Sequence, residues 1–482
     1  MNRKMVFYMF GRIGQIVAIL LMLPMLVAFV YGELVQAWSF LVASICAFAL
    51  GGLFAVCNRT KDRVIYAREG FAIVALAWLT MSAVGALPFV LSKEIPSFID
   101  AFFETVSGFT TTGASILQDV EAMSKSMLFW RSFTHWIGGM GVLVFVMAIV
   151  SNMTDRSIHI MRAEMPGPVV GKLVPRAKDT AKILYLIYVV LTVVEMVVLY
   201  FGGMSMFDSI VHTFGTAGTG GFGIKADSVA GYNVFCQNVI ATFMILFGIN
   251  FNLYYLILIR RFKSAFKSTE LWVYLGIIAV SVGVIAINIY PEVSSIADSL
   301  RLSFFQVSSI ITTSGFSTAD FNLWPSLSKA VLVALMCLGA CAGSTGGGLK
   351  ISRVVILFKL ILREIKRMIH PRSVTAVKFE GKSVDDQTLN SVATYFAVYA
   401  LVMISTALVI SAEPFDFETN ITAVIATFNN IGPGLGEVGP ASSFAAYSPF
   451  SKLVFSFAMP LGRLEIFPLI IALSPSTWRK KG

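Results

Sequence analysis

Long apolar runs alternate with short polar stretches along nearly the whole chain. A membrane-spanning helix needs roughly 20 mostly apolar residues, and about ten segments meet or approach that length. They are Ile16–Tyr31, Phe40–Val56, Phe71–Leu91, Leu143–Val150, Ile183–Phe201, Val239–Ile259, Leu271–Ile289, Ala330–Leu338, Val392–Ile410 and Leu453–Leu473. The shorter ones need their flanking residues to cross a bilayer. The pattern predicts an all-α integral membrane protein.

Four stretches of the chain repeat one order of segments. Each has an apolar span, a shorter and more polar segment, a Gly/Thr-rich turn and a second span, as expected for an array of one structural unit. The start of the chain resembles a secretory signal, but further spans follow, so we interpret it as a retained helix. We predict two transmembrane helices in 1–67, repeats at 68–155, 180–262, 268–370 and 388–482, and cytoplasmic linkers at 156–179 and 371–387.

The turns of the first and third repeats align without a gap. Gly113 follows Phe102 by eleven residues, and Gly315 follows Phe304 by the same number. Gly221 takes this position in the second repeat. The fourth repeat is weaker and rests on phase as much as on residue identity. The turns read Thr110-Thr111-Thr112-Gly113, Gly218-Thr219-Gly220-Gly221, Thr312-Thr313-Ser314-Gly315 and Asn429-Asn430-Ile431-Gly432.

An acidic residue opens each of the short polar segments, at Asp100, Asp208, Asp298 and Asp416. An acid in the first turn of a helix complements the positive end of the helix dipole. Each segment is therefore predicted to be a short helix that enters from the outer side. Its C-terminal end, which is partially negative, would lie at mid-membrane, and four such ends would stabilise a cation.

The four turns carry groups suited to a dehydrated monovalent cation. Irregular backbone at membrane depth is tolerated where it is buried in protein or lines water. Glycine permits a positive φ, and a ring of carbonyls can replace the hydration shell of such an ion. The absence of carboxylates from the turns disfavours a Ca²⁺ or Mg²⁺ cage. The alternative is four ordinary re-entrant bends. The predicted filter consists of Thr111, Thr112, Gly113, Thr219, Gly220, Gly221, Thr313, Ser314, Gly315, Asn430, Ile431 and Gly432.

A glycine-rich stretch interrupts the second span of the third repeat. It reads Gly343-Ser344-Thr345-Gly346-Gly347-Gly348. It resembles a nucleotide-binding P-loop only superficially, because Leu349-Lys350 follows it and an apolar helix precedes it. A flexible, helix-breaking loop below the filter can act as a gate. The alternative is a tight helix contact between small residues.

Arg463 is a charged residue inside the last apolar span. A charge at membrane depth is costly and usually faces a cavity or a partner. It follows Gly432 at a distance similar to that of Gly139 and Gly248 from their own turns, which predicts a position just below the filter. The alternative is an ion pair between helices, for example with Glu465 of another chain.

Charged residues are segregated along the chain, whose formal net charge is +10. Basic loops stay cytoplasmic, so both termini are predicted inside, with the acidic loops forming an acidic outer vestibule. This distribution indicates no nucleic-acid partner. No set of His, Asp and Glu residues converges at mid-depth, so we predict that the protein is not an enzyme. The basic clusters are Arg59–Arg68, Arg156–Lys182, Arg260–Lys267, Lys350–Lys378 and Arg479–Lys481.

These motifs make the chain resemble the Trk/Ktr/HKT superfamily of K⁺ transporters. The two extra N-terminal spans, at about residues 8–57, make it similar to the bacterial TrkH branch. The specific parts are Thr-Thr-Thr-Gly at 110–113, Gly-Thr-Gly-Gly-Phe-Gly at 218–223, Thr-Thr-Ser-Gly-Phe-Ser at 312–317 and Asn-Asn-Ile-Gly-Pro-Gly at 429–434. The resemblance implies that filter carbonyls bind K⁺, that the loop at 343–348 obstructs the pore, and that Arg463 is an electrostatic barrier.

The resemblance also implies K⁺ uptake across a bacterial inner membrane, with Na⁺ and Rb⁺ as further candidate ions and no resident cofactor. A homodimer and a cytoplasmic nucleotide-binding regulatory subunit are implied with it. Some plant relatives that prefer Na⁺ carry Ser at the first filter glycine, so Gly113 favours K⁺. Two alternatives stay open: a Na⁺-permeable relative, and an ion-coupled symporter of a small solute. The symporter predicts inverted repeats, whereas every unit here starts on the inner side.

Overall fold

The computed structural model describes residues 2–60, 67–141, 177–373, 375–464 and 466–478, and within these ranges its regular secondary structure is almost wholly helical. The exception is an antiparallel hairpin of β1 (Lys378–Phe379) and β2 (Lys382–Ser383). Short 3₁₀ turns occupy Phe321–Leu323, Gly436–Val438 and Phe444–Ala446. The helices are α1 (Arg3–Leu20), α2 (Met22–Tyr31), α3 (Leu34–Cys57), α4 (Ala67–Ser92), α5 (Phe98–Phe109), α6 (Lys125–Gly139), α7 (Ala177–Phe201), α8 (Met206–Gly218), α9 (Val234–Phe247), α10 (Phe251–Leu258), α11 (Phe262–Phe266), α12 (Thr269–Val293), α13 (Ile296–Ile311), α14 (Ser326–Leu338), α15 (Ile351–Ile369), α16 (Asp386–Ile410), α17 (Phe417–Phe428), α18 (Pro449–Arg463), α19 (Phe467–Leu473) and α20 (Pro475–Trp478).

Six helical segments in the described part of the chain are long and apolar enough to span a membrane. They are α1 with α2, α3, α4, α7, α12 and α16. The pair α9 and α10 is a seventh candidate, bent by 89°. The apolar run at Leu143–Val150 lies outside the described residues. The other predicted spans are shorter than expected because they are interrupted.

The interruptions fall on helices that return from a Gly/Thr turn. The bend between α9 and α10 and the gaps between α14 and α15 and between α18 and α19 are three examples. In the first repeat, α6 ends at Gly139. A Cβ built on Gly138 or Gly462 would lie closer than 3.0 Å to the carbonyl that ends α5 or α17. Glycine thus lets α6 and α18 touch the end of a short helix. The sequence predicted only the interruption in the third repeat.

The four short helices α5, α8, α13 and α17 begin as the sequence predicts. A side-chain oxygen before each helix accepts a backbone N–H from its first turn, which satisfies a donor that the helix leaves free. The capping residues are Ser97, Ser205, Ser295 and Asp416. Asp100, Asp208 and Asp298 lie in the first turns, where they complement the dipole, while Asp416 is itself the cap.

The repeats close into a ring. Each short helix packs against the entering helix of its own repeat: α5 on α4, α8 on α7, α13 on α12 and α17 on α16. It also packs against the returning helix of the preceding repeat: α8 on α6, α13 on α9, α17 on α14 and, closing the circle, α5 on α18. The helices α1 to α3 lie outside this ring against α4 and α6.

The hairpin β1–β2 connects to the start of α12. Glu380, in the turn of the hairpin, accepts hydrogen bonds from the Ser268 hydroxyl at 3.0 Å and the Glu270 backbone N–H at 3.1 Å. Asp385 caps α16: the hydroxyl and the N–H of Thr388 both donate to its carboxylate, which lowers the pKa of that group. The predicted linker at 371–387 is therefore a folded segment tied to the helices.

Candidate ion pathway

The four Gly/Thr turns share one backbone conformation. The residue two positions before each filter glycine lies in the left-handed region, and so does the glycine itself. The residue that follows this left-handed position donates its backbone N–H to the carbonyl of the residue five positions before it, at 2.8 to 2.9 Å. This is the Schellman arrangement that ends helices. The left-handed residues are Thr111, Thr219, Thr313 and Asn430, with φ of 56°, 55°, 60° and 58°, followed by Gly113, Gly221, Gly315 and Gly432, with φ of 79°, 71°, 83° and 98°.

Three of these left-handed positions hold threonine, which is unusual. A β-branched residue with positive φ is an outlier, and strained residues of this kind cost about 1–3 kcal/mol each. Such strain persists only where the surroundings enforce it, and it clusters at functional sites. The threonines therefore mark the turns as a place where geometry matters more than local stability.

The turns meet one another in cyclic order. A Cβ built on each filter glycine would lie closer than 3.0 Å to the carbonyl oxygen of the residue that precedes the filter glycine in the next repeat. The pairs are Gly113 with Gly220, Gly221 with Ser314, Gly315 with Ile431 and Gly432 with Thr112. The structure thus brings all twelve predicted filter residues together, with four carbonyls in a closed ring.

The carbonyls of this ring have no hydrogen-bond donor. Their residues are buried, yet no N–H or O–H group in the described part of the chain donates to them. Buried carbonyls in proteins are almost always paired, so four unpaired ones in one ring require another partner. Four converging backbone oxygens without a carboxylate are the ligands that suit a monovalent cation.

The side chains of the turns form hydrogen bonds with one another. The Thr110 and Thr112 hydroxyls lie 2.8 Å apart, and those of Thr312 and Ser314 lie 2.9 Å apart. The Asn430 amide donates to the Thr112 hydroxyl at 2.9 Å, which joins the fourth turn to the first. These bonds fix the turns while the backbone oxygens stay available.

A cavity of about 360 Å³ touches all four filter glycines. Its charged lining residues in the described part of the chain are Arg131 and Lys225, and no carboxylate lines it. The expected acidic vestibule is therefore wrong for the space next to the turns. Glu104, the nearby acid, is paired with Arg131, and the helix-opening acids lie at the outer ends of the short helices.

The glycine-rich stretch at 343–348 lies against the turns, and none of its residues lines the cavity. The Thr219 hydroxyl donates to the Thr345 carbonyl at 3.0 Å, and the Gly347 N–H donates to the Thr313 hydroxyl at 2.6 Å. A Cβ built on Gly347 would lie 2.6 Å from the Asn429 carbonyl. The loop therefore contacts the second, third and fourth turns at once.

Arg463 connects this loop to the first repeat. Its guanidinium donates to the Thr345 carbonyl at 2.6 Å, and to the carbonyls of Gly138 and Gly139 at 2.9 and 2.8 Å. The side chain lies below the turns, where its position in the sequence predicted it. Glu465, the alternative partner, lies outside the described residues.

Two further charged residues hold the loop, and the sequence analysis missed both. Lys350 is 1% exposed and donates to the Gly346 carbonyl, so the basic cluster that begins at Lys350 starts inside the protein rather than in a cytoplasmic loop. One carboxylate oxygen of Glu270 accepts the N–H groups of Ala342 at 2.7 Å and Ser352 at 3.0 Å. These residues precede and follow the loop. In the sequence, Glu270 is a single acid at the start of an apolar span, and that pattern does not indicate a contact with the loop.

The chain matches one family over most of its length. The TrkH family profile, described as a cation transport protein, matches residues 36–480. The chain is 38% identical to the Trk system potassium uptake protein TrkH of Escherichia coli (strain K12), over 98% of this chain and 100% of that protein. It is also 38% identical to the protein of that name from Salmonella typhimurium, over 95% of this chain and 96% of the other.

A solved structure agrees with these matches. The crystal structure of the potassium transporter TrkH from Vibrio parahaemolyticus has a TM-score of 0.88 to this chain at 33% identity, and the match covers 99% of this chain and 100% of that one. Both the sequence match and the structural match extend across the four repeats and the ring of turns. This multi-pass membrane chain belongs to the TrkH family of cation transport proteins.

Proposed function

We propose that this protein takes up K⁺ across a bacterial inner membrane through one pore, with the four Gly/Thr turns as its selectivity filter. The observation that carries the proposal is the closed ring of four buried carbonyls without a hydrogen-bond donor. The names of the relatives, which are potassium uptake proteins, support K⁺ as the ion. An inside-negative potential contributes about 2.3 kcal/mol per charge per 100 mV, which is sufficient to drive uptake.

The loop at 343–348 is the gate in this proposal, and Arg463 is an electrostatic barrier beneath the filter. The loop contacts three turns and Arg463 bridges to the first repeat, so the two together cross the axis of the ring. A cation leaving the filter inward meets a positive charge and a backbone segment. Opening requires both to move aside.

The remaining parts of the proposal rest on the resemblance and the charge pattern. Both termini lie in the cytoplasm, the protein forms a homodimer, and a cytoplasmic nucleotide-binding subunit regulates it. The protein transports without catalysing a reaction. The symporter alternative requires inverted repeats, and the cyclic packing of each short helix on the preceding returning helix supports parallel repeats instead.

The test is to substitute filter glycines and measure relative Na⁺ and K⁺ permeability of the purified protein in planar bilayers. Gly113→Ser and Gly315→Ser each place a Cβ against a carbonyl of the ring, so we expect a clear rise in the Na⁺/K⁺ permeability ratio. Gly32→Ser is the matched control, because Gly32 also has a positive φ but its Cβ would meet no atom within 4 Å. Unchanged selectivity in both filter variants would reject the filter assignment.

A further inference from the structure

We propose that Arg131 is a positioning residue that fixes the second turn of the filter and thereby sets its ion selectivity. The inference rests on the proposed filter function. Arg131 lies on α6, in the first repeat, and reaches across to the residues that follow the filter glycine of the second repeat. The cluster around Arg131 consists of Glu104, Arg131, His135, Phe222 and Gly223.

Arg131 forms a buried ion pair with Glu104 of α5. The two side chains are 2% and 0% exposed, and the closest nitrogen–oxygen distance is 2.7 Å. Glu104 also accepts the Ile116 N–H at 2.9 Å and the Ser115 hydroxyl at 3.0 Å. Buried ion pairs contribute little net stability, because desolvation offsets their attraction. A role in fixing geometry explains this pair better than a role in stability.

Two side chains of α6, one helical turn apart, clamp the ring of Phe222. The Arg131 guanidinium carbon lies 4.1 Å from the ring centroid, and the His135 ring stacks on it at 4.2 Å with an interplanar angle of 22°. Two groups this close to one centroid require opposite faces of the ring. Phe222 follows the filter glycine Gly221 directly, so the clamp holds the backbone at the end of the second turn.

The same two residues touch the second turn itself. Arg131 donates to the Gly223 carbonyl at 3.3 Å. A Cβ built on Gly220 would lie closer than 3.0 Å to the His135 ring, and the Gly220 carbonyl is the one that meets Gly113. His135 therefore lies directly behind the second turn. Movement of this cluster displaces a carbonyl of the ring.

Within the described residues, this combination of a buried ion pair and a clamped ring joins the first and second repeats alone. The position of Glu104, nine residues before the filter glycine, is taken by His212, Gln306 and Ala423 in the other repeats. Phe316, the counterpart of Phe222, stacks on His212 at 5.8 Å. The third and fourth repeats are joined instead by neutral hydrogen bonds of Asn322 to Gly436. The loss of Arg131 therefore distorts one side of the ring selectively.

The experiment is Arg131→Lys, read as the Na⁺/K⁺ permeability ratio in planar bilayers with expression and melting temperature as checks on folding. Lysine keeps the charge beside Glu104 but loses the planar stack on Phe222 and the bond to Gly223. We expect the ratio to rise by about threefold to tenfold, the size of one lost cation–π contact. Phe222→Leu, which leaves the ion pair intact, is expected to shift the ratio in the same direction.

Arg363→Lys is the matched control, because Arg363 pairs with Glu364 and Asp386 at a partly exposed site on α15, which contributes no residue to the four turns. It should leave the ratio unchanged, and an equal shift in this control would overturn the inference. If Arg131→Lys does not fold, the double variant Arg131→Met with Glu104→Gln removes both buried charges and decides: a raised ratio supports the inference, and a wild-type ratio rejects it.

The outcome is separable from that of the proposed function. If Gly113→Ser changes selectivity while Arg131→Lys and Phe222→Leu do not, the filter stands and the role of Arg131 is rejected. If the glycine variants also leave selectivity unchanged, the proposed filter itself fails.

Discussion

Single residues set the geometry of the four turns in this protein. The glycine alignment could be read from the sequence, because Gly113 and Gly315 occupy equal places in their repeats. The left-handed threonines that precede them could not, because a β-branched residue with positive φ contradicts local preference. Only the surrounding turns, which supply cross-repeat contacts, enforce that conformation. The ring of free carbonyls follows from it.

Arg463 is the residue whose predicted position agrees with the structure and whose role stays a prediction. Its guanidinium places a positive charge beside the loop and donates to three carbonyls. We expect Arg463→Ala to raise K⁺ flux several-fold, since the substitution removes the charge that opposes a cation and one anchor of the loop. Flux of ⁸⁶Rb⁺ into proteoliposomes is the measurement.

The matched variant for this residue is Arg463→Lys. It keeps the positive charge, so its flux should stay nearer to that of the wild type than the flux of Arg463→Ala. If alanine leaves the flux unaltered, Arg463 has no place in the ion pathway.

Among the elements, the short helices were the most predictable. Their opening acids are local features, and α5, α8, α13 and α17 begin beside those acids. The interruptions of the returning helices were mostly missed. Apolar composition shows that a segment can cross a membrane, but it does not show where a helix must break to let its backbone touch a neighbour. The loop at 343–348 was visible only because three glycines stand together.

The carboxylate of Glu270 joins the two ends of the loop at 343–348. Glu270 accepts an N–H from each end of the loop, and Glu380 of the β1–β2 hairpin accepts the N–H of Glu270 itself. We expect Glu270→Gln to raise K⁺ flux, because a neutral amide oxygen holds the two N–H groups less strongly than a carboxylate. The loss of stability should be modest, about 1–3 kcal/mol. Proteoliposome flux and thermal unfolding measure the two effects.

A surface variant controls for the change of charge. Glu364→Gln removes the same charge from α15, where Glu364 pairs with Arg363 and Arg367 at a partly exposed site. Its flux should equal that of the wild type. Equal flux in Glu270→Gln and the wild type would show that the contact does not hold the gate.

At the scale of the whole molecule, the predicted all-α membrane fold with four repeats and two N-terminal spans is confirmed. The repeated pattern made this prediction of the fold possible, because the segments of each repeat can be checked against those of the other three. The sign of charge beside the turns was predicted wrongly, since the sequence shows acids near the outer ends but not that Glu104 is neutralised by Arg131. Contacts between repeats, such as the clamp on Phe222, depend on how the ring closes and leave no trace in local pattern.

We infer that the four free carbonyls of Thr112, Gly220, Ser314 and Ile431 bind the transported ion. The most direct measurement is anomalous diffraction from crystals of the protein in which Rb⁺ replaces K⁺. We expect an anomalous peak on the axis of the ring, coordinated by those four oxygens, and its loss in Gly113→Ser. Rb⁺ bound only at carboxylates or elsewhere in the membrane domain, with none at the ring, would contradict it.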